Sequence, residues 1–205
     1  MQGWEPSTVV SDELVDPTPV AALAALFDDG VPAPGPGSEL PPLWHWAALA
    51  RWPVSSVLGG DGHPVRGSFL PPVGLPRRMF AGGEVVFHGP LRVGETVRRQ
   101  STVESVTEKS GRSGRLVWPY ATRVEGYPGL VVHGPLMTLA LAETLRLEGR
   151  PERVTRIAHR NNRPLFCGQR ARLLGRRTAD GFALDLTGPE GATTGPHTTL
   201  TATAR

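Results

Sequence analysis

Glu125-Gly126-Tyr127-Pro128-Gly129-Leu130-Val131-Val132-His133-Gly134-Pro135-Leu136, with the run from Met137 to Arg146 behind it, decides how this chain folds. The stretch begins in turn residues, passes through a short apolar run and enters a helix. Leu136, Met137, Leu139, Ala140, Leu141, Ala142 and Leu145 leave that helix little polar surface. A helix that is apolar on nearly every side has to be wrapped by other elements. Pro135 suits the first helical turn, because its missing N–H is one the helix start leaves unpaired anyway. Gly149, Arg150 and Pro151 supply the stop. The start therefore offers free backbone N–H groups, a glycine that permits close approach, and His133 beside it. Two readings stand. The helix is a core element with a well-formed entry, or its start stabilises a developing negative charge.

Working outward toward the C-terminus, residues 153–160, 169–177, 181–187 and 197–204 read as strands. Asp180-Gly181 and Glu190-Gly191 are turn signals at the spacing of an antiparallel meander. Toward the N-terminus, Glu84–His88, Val97–Thr107 and a strand from Arg115 to Trp118 read as three antiparallel strands. Val97, Val103 and Val106 are the inward positions of the second. Asp16 caps a helix opened by Pro17, with Val20, Leu23, Ala24 and Phe27 as its apolar stripe and Asp28-Asp29-Gly30 as its end. Residues 1–12 are polar and read as loose. Between them, residues 30–83 form a long loop rich in Pro and Gly. Trp44, Trp46 and Trp52 argue against disorder there. The loop either lines a groove or covers a sheet edge. Each half is thus one helix plus antiparallel strands. The expected class is α+β, a curved sheet wrapped around a central helix, formed twice.

Composition narrows the function classes. The hydrophobic share is 39%, with Gly 25 and Pro 21 among 205 residues, and the polar loops absorb most of the latter. The net charge of +3 comes from arginine, since Lys109 is the only lysine. The arginines at 150, 153, 156, 160 and 163 have no interleaved aromatic platform. They read as a solvated face, so no nucleic-acid partner is expected. No apolar run approaches membrane-spanning length, and no secretory leader is visible, so a cytoplasmic setting is expected. Cys167 is the only cysteine, which excludes an internal disulfide and reads as a buried thiol. The histidines at 45, 63, 159 and 197 lack metal-ligand spacing. Neither a metal nor a cofactor is expected.

The stretch from Gly82 to Glu95, with Phe69–Met79 before it and Val106–Gly114 after it, resembles the N-terminal domain of the MaoC-like dehydratases. Tyr120-Ala121 and Glu125–Leu136 resemble their C-terminal domain. The chain is most similar to their 3-hydroxyacyl-thioester dehydratase and mesaconyl-CoA hydratase branch. The resemblance implies a double hot-dog fold, with one hot-dog over residues 1–118 and an incomplete one over 119–205. It implies reversible addition of water to an enoyl thioester, whose oxygen sits at the N-terminus of the second hot-dog helix. On this sequence that places an oxyanion N–H at Gly134 and a catalytic candidate at His133, which either orients substrate or water or packs at the helix entry. Arg77 and Arg78 are candidates for the phosphates of a CoA or acyl-carrier arm, and Tyr127 is a candidate substrate contact.

The chain departs from the family pattern at one place. Members carry an Asn or Asp, with a His five residues later, just upstream of the Tyr-Ala that Tyr120-Ala121 matches. Here Trp118 runs directly into Pro119. The expectation is therefore twofold. The chain is a hydro-lyase of this type, or it is a non-catalytic acyl-thioester binder that works as a subunit in a homodimer or heterodimer.

Overall fold

The computed structural model describes residues 3–59, 63–72, 80–106, 130–148, 153–189 and 194–205. In chain order the elements are β1 (Thr8–Leu14), α1 (Pro17–Phe27), α2 (His45–Ala48), β2 (Gly82–Val86), β3 (Thr96–Thr102), α3 (Gly134–Leu147), β4 (Val154–Asn161), β5 (Arg172–Thr178), β6 (Gly181–Thr187) and β7 (Thr198–Ala204).

Helix α3 is the helix expected from the opening stretch, and it is wrapped. A five-stranded antiparallel sheet in the order β2-β4-β7-β6-β5 packs against it. Strand β6 alternates buried and half-buried residues along its whole length, so Phe182, Leu184 and Leu186 share one face. They join Ile157, Leu200 and Ala202 from β4 and β7 in a single core with Leu139, Leu141, Ala142 and Leu145 of the helix. Burying each large aliphatic side chain contributes about 1.5–3 kcal/mol, so this layer dominates the stability of the C-terminal half. The β5–β6 hairpin turns at Asp180-Gly181 as expected, with Thr178 opposite Gly181. Gly181 has φ +151°, and a Cβ there would meet the Ala202 carbonyl oxygen at 2.0 Å. The α+β hot-dog class holds: an antiparallel sheet curls around one central helix.

The N-terminal half is arranged differently from the three consecutive strands expected. Strand β2 pairs with β4, from Gly82 opposite Arg160 to Val86 opposite Arg156, and so extends the C-terminal sheet. Strand β3 pairs with β1 instead, in a two-stranded sheet. The physical reason lies in the connection between them. Residues 87–95 include Gly89-Pro90 and the turn at Gly94, and Val93 and Leu40 anchor that connection to the 35–40 loop rather than folding it into a hairpin. Strand β1 is itself a correction, because residues 8–12 read as loose. The exposed and half-buried residues of β1 alternate strictly. The half-buried positions are Val9, Ser11 and Glu13, while Val10 and Leu14 are exposed, so hydrophobicity does not follow the burial and the sequence carries no period-two signal here.

Helix α1 follows its sequence signals. The Asp16 carboxylate accepts the Thr18 N–H at 2.8 Å, and Asp28 closes the helix in the left-handed conformation. Helices α1 and α2 pack on each other and close over the core through Val20, Leu23, Leu43 and Trp44. Two smaller expectations fail. Val106 lies beyond β3 and is exposed, and Cys167 is exposed rather than buried. The third strand expected at Arg115–Trp118, the Trp118–Pro119 junction, Arg77, Arg78, Tyr127 and the Glu190-Gly191 turn all lie outside the described residues.

Candidate functional site

The start of α3 opens into a cleft of about 630 Å³. His133 and Pro135 form one side of it, and Trp46, Leu49 and Phe80 supply apolar wall. His45, Arg51 and Arg99 bring the polar groups from the other side. The Trp-rich segment expected to line a groove thus does so through Trp46. Trp44 instead is buried in the core, and Trp52 is 90% exposed and takes part in neither.

Local sequence explains the geometry of the helix start. His133 precedes Pro135 by two residues and has φ −58° and ψ 121°, an extended entry into the first turn. Its carbonyl accepts from Leu136 at 3.0 Å and Met137 at 3.2 Å, while its side chain makes no capping bond. The Gly134 N–H has no partner among the described residues. Asn161, at the end of β4, packs over Gly134: a Cβ on Gly134 would come within 3.1 Å of Asn161 Nδ2. The asparagine is fixed, because Nδ2 donates to the Phe80 carbonyl at 2.9 Å and Oδ1 accepts from Thr198 Oγ1 at 2.8 Å.

Aromatic rings stiffen the wall. His159 stacks on Phe80 with centroids 5.1 Å apart, and Trp46 meets both rings edge-on at 5.4 and 5.5 Å. His159 Nδ1 lies 3.4 Å from Thr138 Oγ1, in the first turns of α3. Three histidines therefore gather around the helix start, and all are held below the ordinary imidazole range. Burial does this for His159. For His133, loss of solvent is the main cause and nearby His63 adds to it. For His45, burial is reinforced by Arg99. The shift favours the neutral imidazole, the form a proton acceptor needs.

The far side of the cleft carries charge. Arg51 Nε donates to Glu13 at 2.8 Å, and Arg99 Nη1 donates to the same carboxylate and to the Leu49 carbonyl, both at 3.4 Å. Burial works against the ionised Glu13, but Arg51, Ser11 and Arg99 outweigh it and hold its carboxyl below the ordinary range. Among the described residues no cluster of His, Cys, Asp and Glu has the shape of a metal site. No helix of the described residues is long and apolar enough to cross a membrane.

The structure thus places His133 on the wall of the cleft, with Gly134 next to it between the two lining residues His133 and Pro135. Sequence reasoning missed His45, Phe80, Arg99, His159 and Asn161 as neighbours of that helix start. Each comes from an element distant in sequence, and no local spacing links them.

The family model for hydroxyacyl-thioester dehydratase type 2 matches residues 43–118 and 116–167. The chain belongs to this hydroxyacyl-thioester dehydratase family. A mesaconyl-C(4)-CoA hydratase from Chloroflexus aurantiacus is 33% identical over 246 aligned residues, covering 84% of this chain and 87% of that protein. The family match bears on the junction at Trp118. The match of this chain to its family model breaks and restarts at residues 116–118. The alignment with the hydratase spans 246 positions against a chain of 205 residues, so the relative carries residues that have no counterpart here.

Proposed function

We infer that this dehydratase-family chain binds an enoyl or 3-hydroxyacyl thioester with the thioester oxygen at the start of α3. The observation that carries the reading is the meeting of a half-apolar cleft with an unpartnered Gly134 N–H at a helix N-terminus, in a chain of this family. Water adds to the β-carbon of the enoyl group, and a neutral histidine accepts the proton it loses. The π electrons move toward the thioester oxygen, where the Gly134 N–H and the helix dipole hold the enolate charge. Protonation of the α-carbon completes the addition, and the reverse sequence removes water. His133, on the wall of the cleft and without a capping bond, is the assigned proton carrier. Arg77 and Arg78 are assigned to the phosphates of a CoA or carrier arm, and Tyr127 to the substrate.

The test is a pair of substitutions at one position. Gly134 is the first helical residue, and the extended His133 before it suits a following proline. Gly134→Pro removes the N–H, whereas Gly134→Ala keeps it and adds only a methyl group facing Asn161. Hydration of crotonyl-CoA, followed by loss of the enoyl chromophore, should fall about 10²–10³-fold in Gly134→Pro and stay within about threefold of wild type in Gly134→Ala. Equal effects of the two would remove Gly134 from the mechanism.

A second reading is favoured by the break at residues 116–118. In it the chain binds the thioester but leaves the chemistry to a partner subunit that supplies the family's Asn/Asp–His segment. Crotonyl-CoA binding by the isolated chain without turnover, and turnover on adding the partner, would support it. Turnover by the isolated chain would exclude it.

A further inference from the structure

The side-chain amide that packs over Gly134 has one hydrogen to spare. Asn161 ends β4 and lies opposite Thr198, the first residue of β7, in the ladder of the C-terminal sheet. Opposite residues share a face, so Thr198 Oγ1 donates to Asn161 Oδ1 at 2.8 Å. Thr198 itself is fully buried. On its other side Asn161 is held by the segment before β2. Its backbone N–H binds the Ala81 carbonyl at 2.8 Å, and Nδ2 donates to the Phe80 carbonyl at 2.9 Å. A carbonyl oxygen only accepts, so Nδ2 and not Oδ1 must face Phe80. The orientation of the amide is therefore fixed by chemistry. Nδ2 carries two hydrogens. Phe80 takes one, and the other has no partner among the described residues.

This spare donor lies beside the helix start. A Cβ on Gly134 would stand 3.1 Å from Asn161 Nδ2. Covalent geometry then puts the Gly134 nitrogen and Nδ2 no more than about 5.6 Å apart. One oxygen taking a hydrogen bond of ordinary length from each of two nitrogens spans up to about 5.8 Å. We propose that Asn161 Nδ2 is the second donor to the thioester oxygen, so that the enolate charge is shared between a backbone N–H of α3 and a side-chain N–H of β4. The proposal rests on the thioester reading above and adds a catalytic residue to it. The bond from Thr198 to Oδ1 draws electron density through the amide and strengthens the N–H as a donor. Both braces are in place before a substrate arrives, so the amide loses little by reorganising when the charge develops.

The experiment reads the thioester carbonyl directly, by infrared difference spectroscopy of the full chain with butyryl-CoA isotopically labelled at its carbonyl carbon. This saturated thioester has no double bond to hydrate, so the readout does not depend on turnover. Binding to wild type should lower the carbonyl stretch. Asn161→Ala should return about half of that shift, and Asn161→Ala with Gly134→Pro nearly all of it. Asn161→Asp is closest in shape. It still accepts from Thr198 but has no second hydrogen to give, and it should match Asn161→Ala. In crotonyl-CoA hydration, Asn161→Ala should lower kcat about 10²-fold and leave KM within about threefold. Asn162→Ala is the control. It removes the neighbouring amide, which binds the Pro196 carbonyl, and should leave the stretch where wild type has it. An asparagine that only braces the Phe80 segment gives another result: Asn161→Ala and Asn161→Asp would melt earlier while the bound carbonyl kept its wild-type frequency. That would overturn the proposal. A shift that Gly134→Pro alone returns would leave the thioester reading standing and remove Asn161 from it. Failure of wild type to bind butyryl-CoA, or binding with the stretch at its free frequency, would sink the thioester reading itself, and this proposal with it.

Discussion

The two ends of α3 are built for opposite purposes. The first turn leaves the Gly134 N–H without a partner among the described residues and borders a cleft through Pro135. The last turns commit their polar side chains to the N-terminal half. Trp44 Nε1 donates to Glu143 at 3.1 Å, and Arg146 binds Glu143 and both oxygens of Asp29 while lying 5.0 Å over the Trp44 ring. Arg146 also reaches the Pro32 carbonyl at 3.3 Å. One end of the helix spends its polar groups on tying the N-terminal half to the core, and the other leaves a backbone N–H without a partner among the described residues. A helix wrapped on all sides can serve as both anchor and site only if the two tasks are separated along its axis.

Breaking the anchor should have the largest effect on stability. Trp44 is 1% exposed, so Trp44→Ala removes a core aromatic, strips Glu143 of a donor and should cost about 3–5 kcal/mol in chemical denaturation. Arg146→Ala leaves the buried Glu143 without its cation and should cost about 3 kcal/mol. If either variant instead kept wild-type stability and lost only thioester binding, the division of labour along α3 would be wrong.

The pH dependence should separate the two ends by sign. His45, His133 and His159 have lowered pKa values in the folded chain, so the unfolded chain binds protons more readily. Their contribution is present above the ordinary histidine range and is lost as pH falls through it toward the lowered values. Glu143 runs the other way. Burial raises its carboxyl, the largest cause, against the opposing pull of Arg146. Its contribution is present below the ordinary glutamate value and fades as pH rises through the window up to the raised one. Denaturant midpoints between pH 4 and 8 should show the acid-side loss shrink in His159→Gln. In Glu143→Gln the decline with rising pH should flatten. The same slope in wild type and both variants would remove these groups as its source.

The smallest stability effect is expected at the open end. Gly134→Ala needs Asn161 Nδ2 to give by a few tenths of an ångström and should shift stability by less than about 1 kcal/mol in either direction. A loss of several kcal/mol there would mean that the helix start is packed as tightly as the anchor.

Much of this contrast is legible in the order of residues alone. The helix boundaries at Pro17 and Gly134, the strand limits of β4, β6 and β7, and the turn at Asp180-Gly181 follow from caps, prolines and hydrophobic period. His133 and Gly134 are legible as a helix start beside a histidine. Three things are not. Strand β1 turns Ser11 and Glu13 inward and Val10 and Leu14 outward, so its sequence has no alternation to read. Strand β2 crosses to β4 because pairing is decided by which edge is free, not by sequence neighbours. Arg99, Glu13 and Arg51 meet at the cleft across separations that no motif spans.

The sequence by itself determined that one apolar helix must be wrapped by antiparallel strands and that it starts at a glycine beside a histidine. Local dihedral preferences and hydrophobic period are properties of contiguous residues, and they act wherever the chain goes. Only the tertiary structure decided what the open entry faces. A cleft is made of side chains from β3, α2, α3 and the loop at Phe80. Their charges and desolvation depend on distances in space that the order of residues along the chain does not contain.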